Sequence, residues 1–514
     1  MSLNRTLVRG RDLARTAGDH AADVLGPLML VVRGLRHHAA WARAWWQRTP
    51  GDRRGPALLL VAAVAASLAV LPYGLVLAGA CLLASAAWAG RDRAPAAAPA
   101  PDPVQLKLQA VYAALTPYLA RPEDPKPLYV HDGDHRAAFP AWEFDADGRL
   151  ALLDLVYPAY FPDSEAAARA RVEQVLQGKA GRTREYRFHW DEEGNRLRME
   201  ALPALPDDIA VQRFVAGPGE LVLGVTDPGD SDRTIPLDRS GGRDHQPPVV
   251  WRTAARSADA HLLALGTPRS GTSTLLRGLA LQALPHGDVV LVDGAGTGEY
   301  GCLAGRPGVR RVETGVQGAV AALQWAAGET TRRLAALDRA RLVGSAPPRH
   351  ATRPLWILVD HPVELSELAH AEGRPDPQDL LEVPLRQGRA ARVSVVVAEH
   401  LASLERIRPV VRASARARVV LGAPTPEQAE AALGAPLDIA PAARMPAGRG
   451  YARLGGAAPV RLQVPAAPDP LDEDVPADRR DAVTALLPRV EPRGEAPAPA
   501  ASLVKSPVRP GPAS

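Results

Sequence analysis

His261-Leu-Leu-Ala-Leu-Gly-Thr-Pro-Arg-Ser-Gly-Thr-Ser-Thr-Leu-Leu-Arg-Gly-Leu-Ala280 carries the junction on which the architecture turns. Its opening five residues form a short continuous run, the pattern of a strand buried on both faces. The loop Gly266 to Ser273 follows and opens into an apolar helical stretch from Thr274. Its frame is G-x4-G-K-[ST], in which glycines let backbone N–H groups and a helix N-terminus cradle phosphate. The candidate nucleotide contacts are Gly266, Thr267, Pro268, Arg269, Ser270, Gly271, Thr272, Ser273 and Thr274. One position departs from the frame. Thr272 stands where the lysine that neutralises the β- and γ-phosphates belongs. Ser273 keeps the hydroxyl that reaches Mg²⁺. Arg269 offers a replacement charge, although its planar fork does not occupy a lysine's place. On these eight residues alone, a glycine-bounded turn without ligand is an equal reading.

A second element tips the balance. Leu355-Trp-Ile-Leu-Val359 ends on Asp360, the form of a Walker B strand whose terminal carboxylate holds the Mg²⁺ shell, so Ser273 and Asp360 are the candidate metal residues. Hydrolysing motors follow this aspartate with a glutamate that activates water, and here His361-Pro362 follows. Losing a transition-state contributor costs about 10²–10³ in rate, so the absence of both lysine and glutamate predicts a degenerate ATPase. Further apolar runs at Val289–Val292, Val393–Ala398 and Val419–Leu421 alternate with helical stretches, the longest from Val316 to Leu342. This is the pattern of a parallel sheet in an α/β layered fold.

The whole chain has 514 residues, 46% hydrophobic and 23% charged, enough for two or three domains and inconsistent with a wholly disordered protein. Two cysteines, Cys81 and Cys302, exclude a disulfide scaffold and a CxxC metal site, and point to a reducing compartment. The formal net charge of +4 permits an anionic partner without requiring one. The 50 prolines are roughly twice the usual ~5% share, and the excess is expected in linkers and tails. Six segments are expected: a basic segment 1–55, an apolar hairpin 56–90, an Ala/Pro linker 91–103, a mixed α/β accessory domain 104–250, the P-loop domain 251–465, and a disordered Pro/Ala-rich tail 466–514 with a short helix near Ala477–Leu487. In the accessory domain the pattern gives a helix at Val104–Leu119, a hairpin about Asp145–Gly148, a helix at Ser164–Gln177, and strands Arg184–Trp190 and Arg196–Leu202.

Ala57 to Gly90 contains no charged residue, is interrupted by Pro72-Tyr73-Gly74, and is flanked by arginines. It reads as a transmembrane helical hairpin with both ends in the cytoplasm, which places the protein in the plasma membrane as a multi-pass chain. One tilted span and a helix pair buried in a domain core are the alternatives. Between Arg386 and Arg418 lie eight arginines and two glutamates. Arg386, Arg389, Arg392, Arg406, Arg408 and Arg412 are therefore candidate phosphate contacts for duplex DNA, the alternative being a solvated or subunit-facing surface.

These elements together resemble the motor region of the FtsK/SpoIIIE family of membrane-anchored DNA translocases, over residues 164–464. The likeness is carried by Asp259–Gly266, by Val289–Asp293 with Gly298-Glu-Tyr300 and Leu303–Val309, by Trp325, Glu329, Arg332 and Arg333, by Gly388–Ala398, and by Met445–Tyr451. The resemblance implies a RecA-like P-loop motor domain, ATP and Mg²⁺ as cofactors at a weakened site, duplex DNA as partner, and a homo-hexamer or a hetero-assembly with an active motor or division proteins. It departs from the family at Asp293-Gly-Ala295, at Glu399-His400, and in lacking a DNA-reading winged helix after Pro465. The expectation is a pseudo-ATPase acting in DNA handling or assembly at the membrane. An active translocase and a type VII-like secretion coupling component are the alternatives.

Overall fold

The structure, a computed structural model, describes residues 31–32, 34–47, 51–70, 73–89 and 102–489. It divides into two compact units, one ending at Leu106 and one beginning at Lys107. The expected basic segment lies outside the described residues as far as position 30, as do most of the linker and the chain beyond Arg489.

In the first unit the charge-free run is shared by two helices, Gly51–Val70 of 20 residues and Gly74–Ala89 of 16. The first helix takes in the charged residues 52–54. The second, at ~1.5 Å per residue, is about 24 Å long against a hydrocarbon core of ~30 Å. Among the described residues no helix is long and apolar enough to cross a membrane. The transmembrane hairpin at 56–90, and with it the multi-pass plasma-membrane location, is corrected on this ground.

Among its described residues the second unit holds seventeen strands. Four belong to its N-terminal part: β1 (Ala141–Phe144), β2 (Leu150–Val156), β3 (Tyr186–Asp191) and β4 (Arg196–Ala201). Next come β5 (Glu220–Val225), β6 (Ile235–Arg239), β7 (Gly242–Gln246), β8 (Pro248–Arg252), β9 (Leu262–Gly266), β10 (Asp288–Asp293), β11 (Val309–Glu313) and β12 (Leu355–Asp360). Last are β13 (Val393–His400), β14 (Ala417–Leu421), β15 (Ile439–Ala440), β16 (Arg449–Arg453) and β17 (Val460–Gln463). A ten-stranded sheet runs in the order β11-β10-β12-β13-β9-β14-β16-β17-β5-β8. From β11 to β14 neighbours are parallel, and from β14 to β8 they are antiparallel. The strand that feeds the glycine loop, β9, lies in the middle, one strand away from β12. This mixed α/β layout with a large parallel-containing sheet fits a RecA-like core.

Why the parallel strands read as unbroken apolar runs is visible in the packing. Leu263, Leu265, Val290, Val292, Ile357, Val359, Val395 and Val397 face one core with Ala319, Leu323 and Ala326 of the helix Val316–Leu342. Their sequence neighbours Leu262, Ala264, Val289, Leu291, Trp356, Leu358, Val396 and Ala398 face a second core with Leu275, Leu276 and Leu279 of the helix Thr272–Ala283. Side chains alternate across a sheet with period two, so covering both faces requires apolar residues at every position.

The expected border at residue 250 does not separate two sheets. β5 and β8 extend the far edge of the large sheet, while β15, from the P-loop half of the sequence, completes the small sheet β1-β2-β4-β3-β15. The tail reading is corrected as far as Arg489. Ala466 N–H donates to the Ile209 carbonyl at 2.7 Å, and a helix spans Ala477–Leu486. Val483 and Leu487 are buried in the second core, which gives this segment the apolar contacts that its Pro/Ala composition conceals.

Candidate nucleotide site

At the C-terminal end of β9 the chain turns sharply. Gly266 has no room for a side chain, because a Cβ there would collide with Ser270 Oγ and Thr272 Cγ2. Arg269 sits at φ +65° and Gly271 at φ +103°, so the loop reverses through two left-handed positions before the helix Thr272–Ala283 begins. Thr267 N–H donates to the Leu421 carbonyl at 3.1 Å, and Gly448 N–H to the Ser270 carbonyl at 2.8 Å, tying the loop to β14 and to the β16–β17 hairpin. Pro268 and Arg269 are exposed at its tip. Ser270 is buried with its Oγ unpartnered among the described residues.

The first intrahelical bond runs from Leu275 N–H to the Gly271 carbonyl at 3.0 Å, so the N–H groups before it have no acceptor within the helix. Beside this turn Gly271, Thr274, Gly448 and Gln463, with Asp207, Asp208 and, from the returning segment, Ala466, Ala467, Asp474 and Arg479, line a cavity of about 490 Å³, within the ~300–1,000 Å³ range of ligand pockets. An orphaned buried hydroxyl, open backbone donors and adjacent space suit a nucleotide's phosphate and nucleoside ends.

The metal position is different. Asp360 ends β12 in register with Asp293 on β10. Asp293 is satisfied by its own loop, accepting from Gly296 N–H at 3.0 Å, Gly298 N–H at 2.7 Å and Thr297 Oγ1 at 3.1 Å. Asp360, 2% exposed, accepts on Oδ2 from Ser273 Oγ at 2.9 Å and from the Tyr300 hydroxyl at 2.6 Å. Burial raises its pKa above the ordinary carboxylate range, and burial together with the Asp360 charge raises the Tyr300 phenol. The structure thus brings Ser273 and Asp360 together, as the sequence predicts. They are bonded to each other, however, and a second hydroxyl, that of Tyr300, closes the group. Two hard oxygens are the right donors for Mg²⁺, but in this arrangement they do not fit it, and among the described residues no cluster of three acidic, histidine or cysteine ligands forms.

His361, where a catalytic glutamate would stand, takes a left-handed conformation, φ +50°, and caps the helix Pro362–Ala371. Its Nε2 lies 3.7 Å from Asp360 Oδ1 and its Nδ1 3.5 Å from Glu399 Oε1, while its ring centroid is 4.6 Å from that of His400. The interaction with Glu399 raises the His361 pKa to about 9. Burial acts to raise that of Glu399, but the His361 contact and the N–H groups of His400 at 2.7 Å and Val363 at 2.9 Å outweigh it and lower it. The two carboxylates beside it thus favour the protonated form of His361.

Tyr300 and Glu399 are the residues that sequence reasoning missed. Tyr300 is held by Arg277, whose guanidinium lies 5.6 Å from its ring and donates to the Ala467 carbonyl at 2.6 Å and the Glu299 carbonyl at 2.7 Å. A lone tyrosine in a glycine-rich loop carries no spacing signal. Glu399 was visible only as a departure from the family pattern.

Of the six candidate phosphate-binding arginines, four face carboxylates. Arg386 pairs with Glu382 at 2.9 Å, Arg408 with Asp376 at 3.2 Å and Asp379 at 2.7 Å, Arg412 with Glu405 at 2.8 Å, and Arg406 with Glu367. Arg392 donates to the Thr352 carbonyl at 3.1 Å, and Arg389 is exposed.

No family model matches the chain, and no curated protein matches it in sequence. Among solved structures it is similar to the pCW3 conjugation coupling protein TcpA, monomer form with ATPγS, at TM-score 0.43 and 15% identity over 75% of this chain and 99% of that one. It is also similar to the cytoplasmic domain of the Thermomonospora curvata type VII secretion ATPase EccC, at TM-score 0.37 and 22% identity over 52% of this chain and 31% of that one. ATPases 2 and 3 of EssC from Geobacillus thermodenitrificans give TM-score 0.40 and 15% identity over 55% and 51%. The chain thus spans a third to a half of the two secretion ATPases. All three likenesses lie below a TM-score of 0.5, so the reading that follows rests on this chain's own residues.

Proposed function

We propose that this chain is a P-loop protein of the translocase type that binds a nucleoside triphosphate and does not hydrolyse it. The observation that carries the reading is the position of His361 between Asp360 and Glu399, 3.7 Å from one carboxylate and 3.5 Å from the other. A protonated imidazole in that place has no capacity to take a proton from water. Glu399, the nearest carboxylate, already accepts two backbone N–H groups, so it does not replace the missing base. Thr272 leaves the β- and γ-phosphates without the lysine's charge.

Binding is supported by the parts that remain: the loop at 266–274, the open N–H groups of the first helical turn, and the adjoining cavity. ATP would supply the triphosphate that these donors hold. The experiment is ATP turnover by the full chain with and without duplex DNA. The expected result is no release of phosphate above background. DNA-stimulated turnover that Asp360→Ala abolishes would overturn the reading.

Duplex DNA is a second element of the proposal, favoured by the two of the six candidate arginines without a carboxylate partner among the described residues, Arg389 and Arg392. It assigns those two the phosphate contacts that the sequence distributes over six.

A further inference from the structure

Two hydroxyl groups converge on a single oxygen of Asp360. Oδ2 accepts from Ser273 and from Tyr300, and Oδ1, without a hydrogen-bond partner among the described residues, faces the His361 ring at 3.7 Å. Tyr300 is 1% exposed and cannot swing aside freely. Its ring is covered by the Arg277 guanidinium, which is itself fixed by the carbonyls of Glu299 and Ala467. A divalent cation entering between Ser273 and Asp360 must break the short bond from the Tyr300 hydroxyl to Oδ2.

Resting on the reading of the loop as a nucleotide site, we propose that Tyr300 is a specificity-determining residue that substitutes for the metal, so that the nucleoside triphosphate is taken here without a divalent cation. The phenol does for Asp360 what Mg²⁺ does elsewhere: it satisfies the buried carboxylate. It also joins the site to the returning chain, since the arginine that holds the phenol also holds Ala467.

The test is binding of N-methylanthraniloyl-ATP to the full chain, by fluorescence, in millimolar Mg²⁺ and in EDTA, for the wild type and Tyr300→Phe. In the wild type the affinity is expected to be the same in both media. In Tyr300→Phe, which keeps the ring and removes the hydroxyl, Oδ2 retains only the Ser273 bond and Mg²⁺ is expected to tighten binding about tenfold over EDTA, the size of one charge-assisted hydrogen bond. A filler of the core would alter both media alike. Wild-type binding that weakens tenfold or more in EDTA overturns this inference alone, and that arm needs no variant. A folded Tyr300→Phe chain indifferent to Mg²⁺ overturns it as well. Absence of binding by the wild type in either medium overturns the nucleotide reading, and the role of Tyr300 with it.

Discussion

His261 opens the strand that delivers the glycine loop, and it is a buried group with a single compatible protonation state. Its Nδ1 accepts from Val395 N–H at 3.0 Å, and the residue is 4% exposed. Burial lowers its pKa to about 4, the bond to the Leu385 backbone working the other way and the Arg389 charge adding to the lowering. The native imidazole is thus neutral, whereas in the unfolded chain it protonates below ~6.5. Between those values the unfolded state binds more protons, so stability falls as pH drops from about 6.5 to 4, by up to about 3 kcal/mol at ~1.4 kcal/mol per unit. Urea midpoints at pH 7 and pH 4.5 check this, and His261→Asn, neutral at both, is expected to show a smaller difference. The strand around this histidine was legible because every neighbour is apolar. The histidine's own role was not, since its partner Val395 is more than 130 positions away.

At the scale of elements, the small and large sheets are locked by ion pairs with little exposure to water. Glu185, next to β3, accepts from Arg449 of β16 at 3.0 Å, Arg461 of β17 at 2.9 Å and the Tyr451 hydroxyl at 2.9 Å. Arg461 pairs in addition with Asp227, and Arg449 bonds Gln463 at 2.8 Å. Glu185→Ala leaves the buried Arg449 guanidinium without a counter-charge and Arg461 with Asp227 alone, which costs ~3–5 kcal/mol by the measure of other broken buried pairs. Glu185→Gln, which keeps an acceptor, is expected to cost less, and chemical denaturation of the two variants separates charge from hydrogen bonding. This lock explains why the border at 250 was misplaced. β9, β10, β12 and β13 announce themselves by continuous apolar runs, but of the antiparallel strands β8, β16 and β17 carry arginines, as a sheet edge on its own would. The place of β5 and β8 in the larger sheet is fixed by the pairing of Val225 in β5 with Gln463 in β17, more than two hundred residues apart, which periodicity does not report.

For the molecule as a whole, charge counted along the sequence differs from charge arranged in space. The arginine run carries a clear excess between positions 386 and 418. The carboxylates of Glu367, Asp376, Asp379 and Glu382 precede that window and are folded onto it. With four of six arginines facing carboxylates, duplex binding is expected to follow salt with a slope of about −2 in log affinity against log salt, two contacts at ~0.9 each, in place of about −5 for six. Fluorescence anisotropy with a long duplex measures it. Arg389→Gln with Arg392→Gln is expected to flatten the slope, and Arg406→Gln to leave it unchanged. A slope near −5 would restore the six-contact surface. The paired Ser273 and Asp360 were legible from motif spacing. The hydroxyl of Tyr300 that closes over them was not, because only the packing of Arg277 and Ala467 places it there.

The small sheet has an outermost strand, β15, that leaves the ribosome long after the rest. Ile439 pairs with Arg187, 252 residues earlier in the chain, and at ~5–20 residues per second some tens of seconds separate their emergence. For that interval β3 presents an unpaired backbone edge, and Glu185 beside it awaits Arg449 and Arg461, which are made later still. An open edge is a template for wrong pairing with neighbouring nascent chains. The N-terminal half therefore completes its fold only after translation has reached the final β-hairpin, and until then it is the part of this protein that most needs a chaperone's cover.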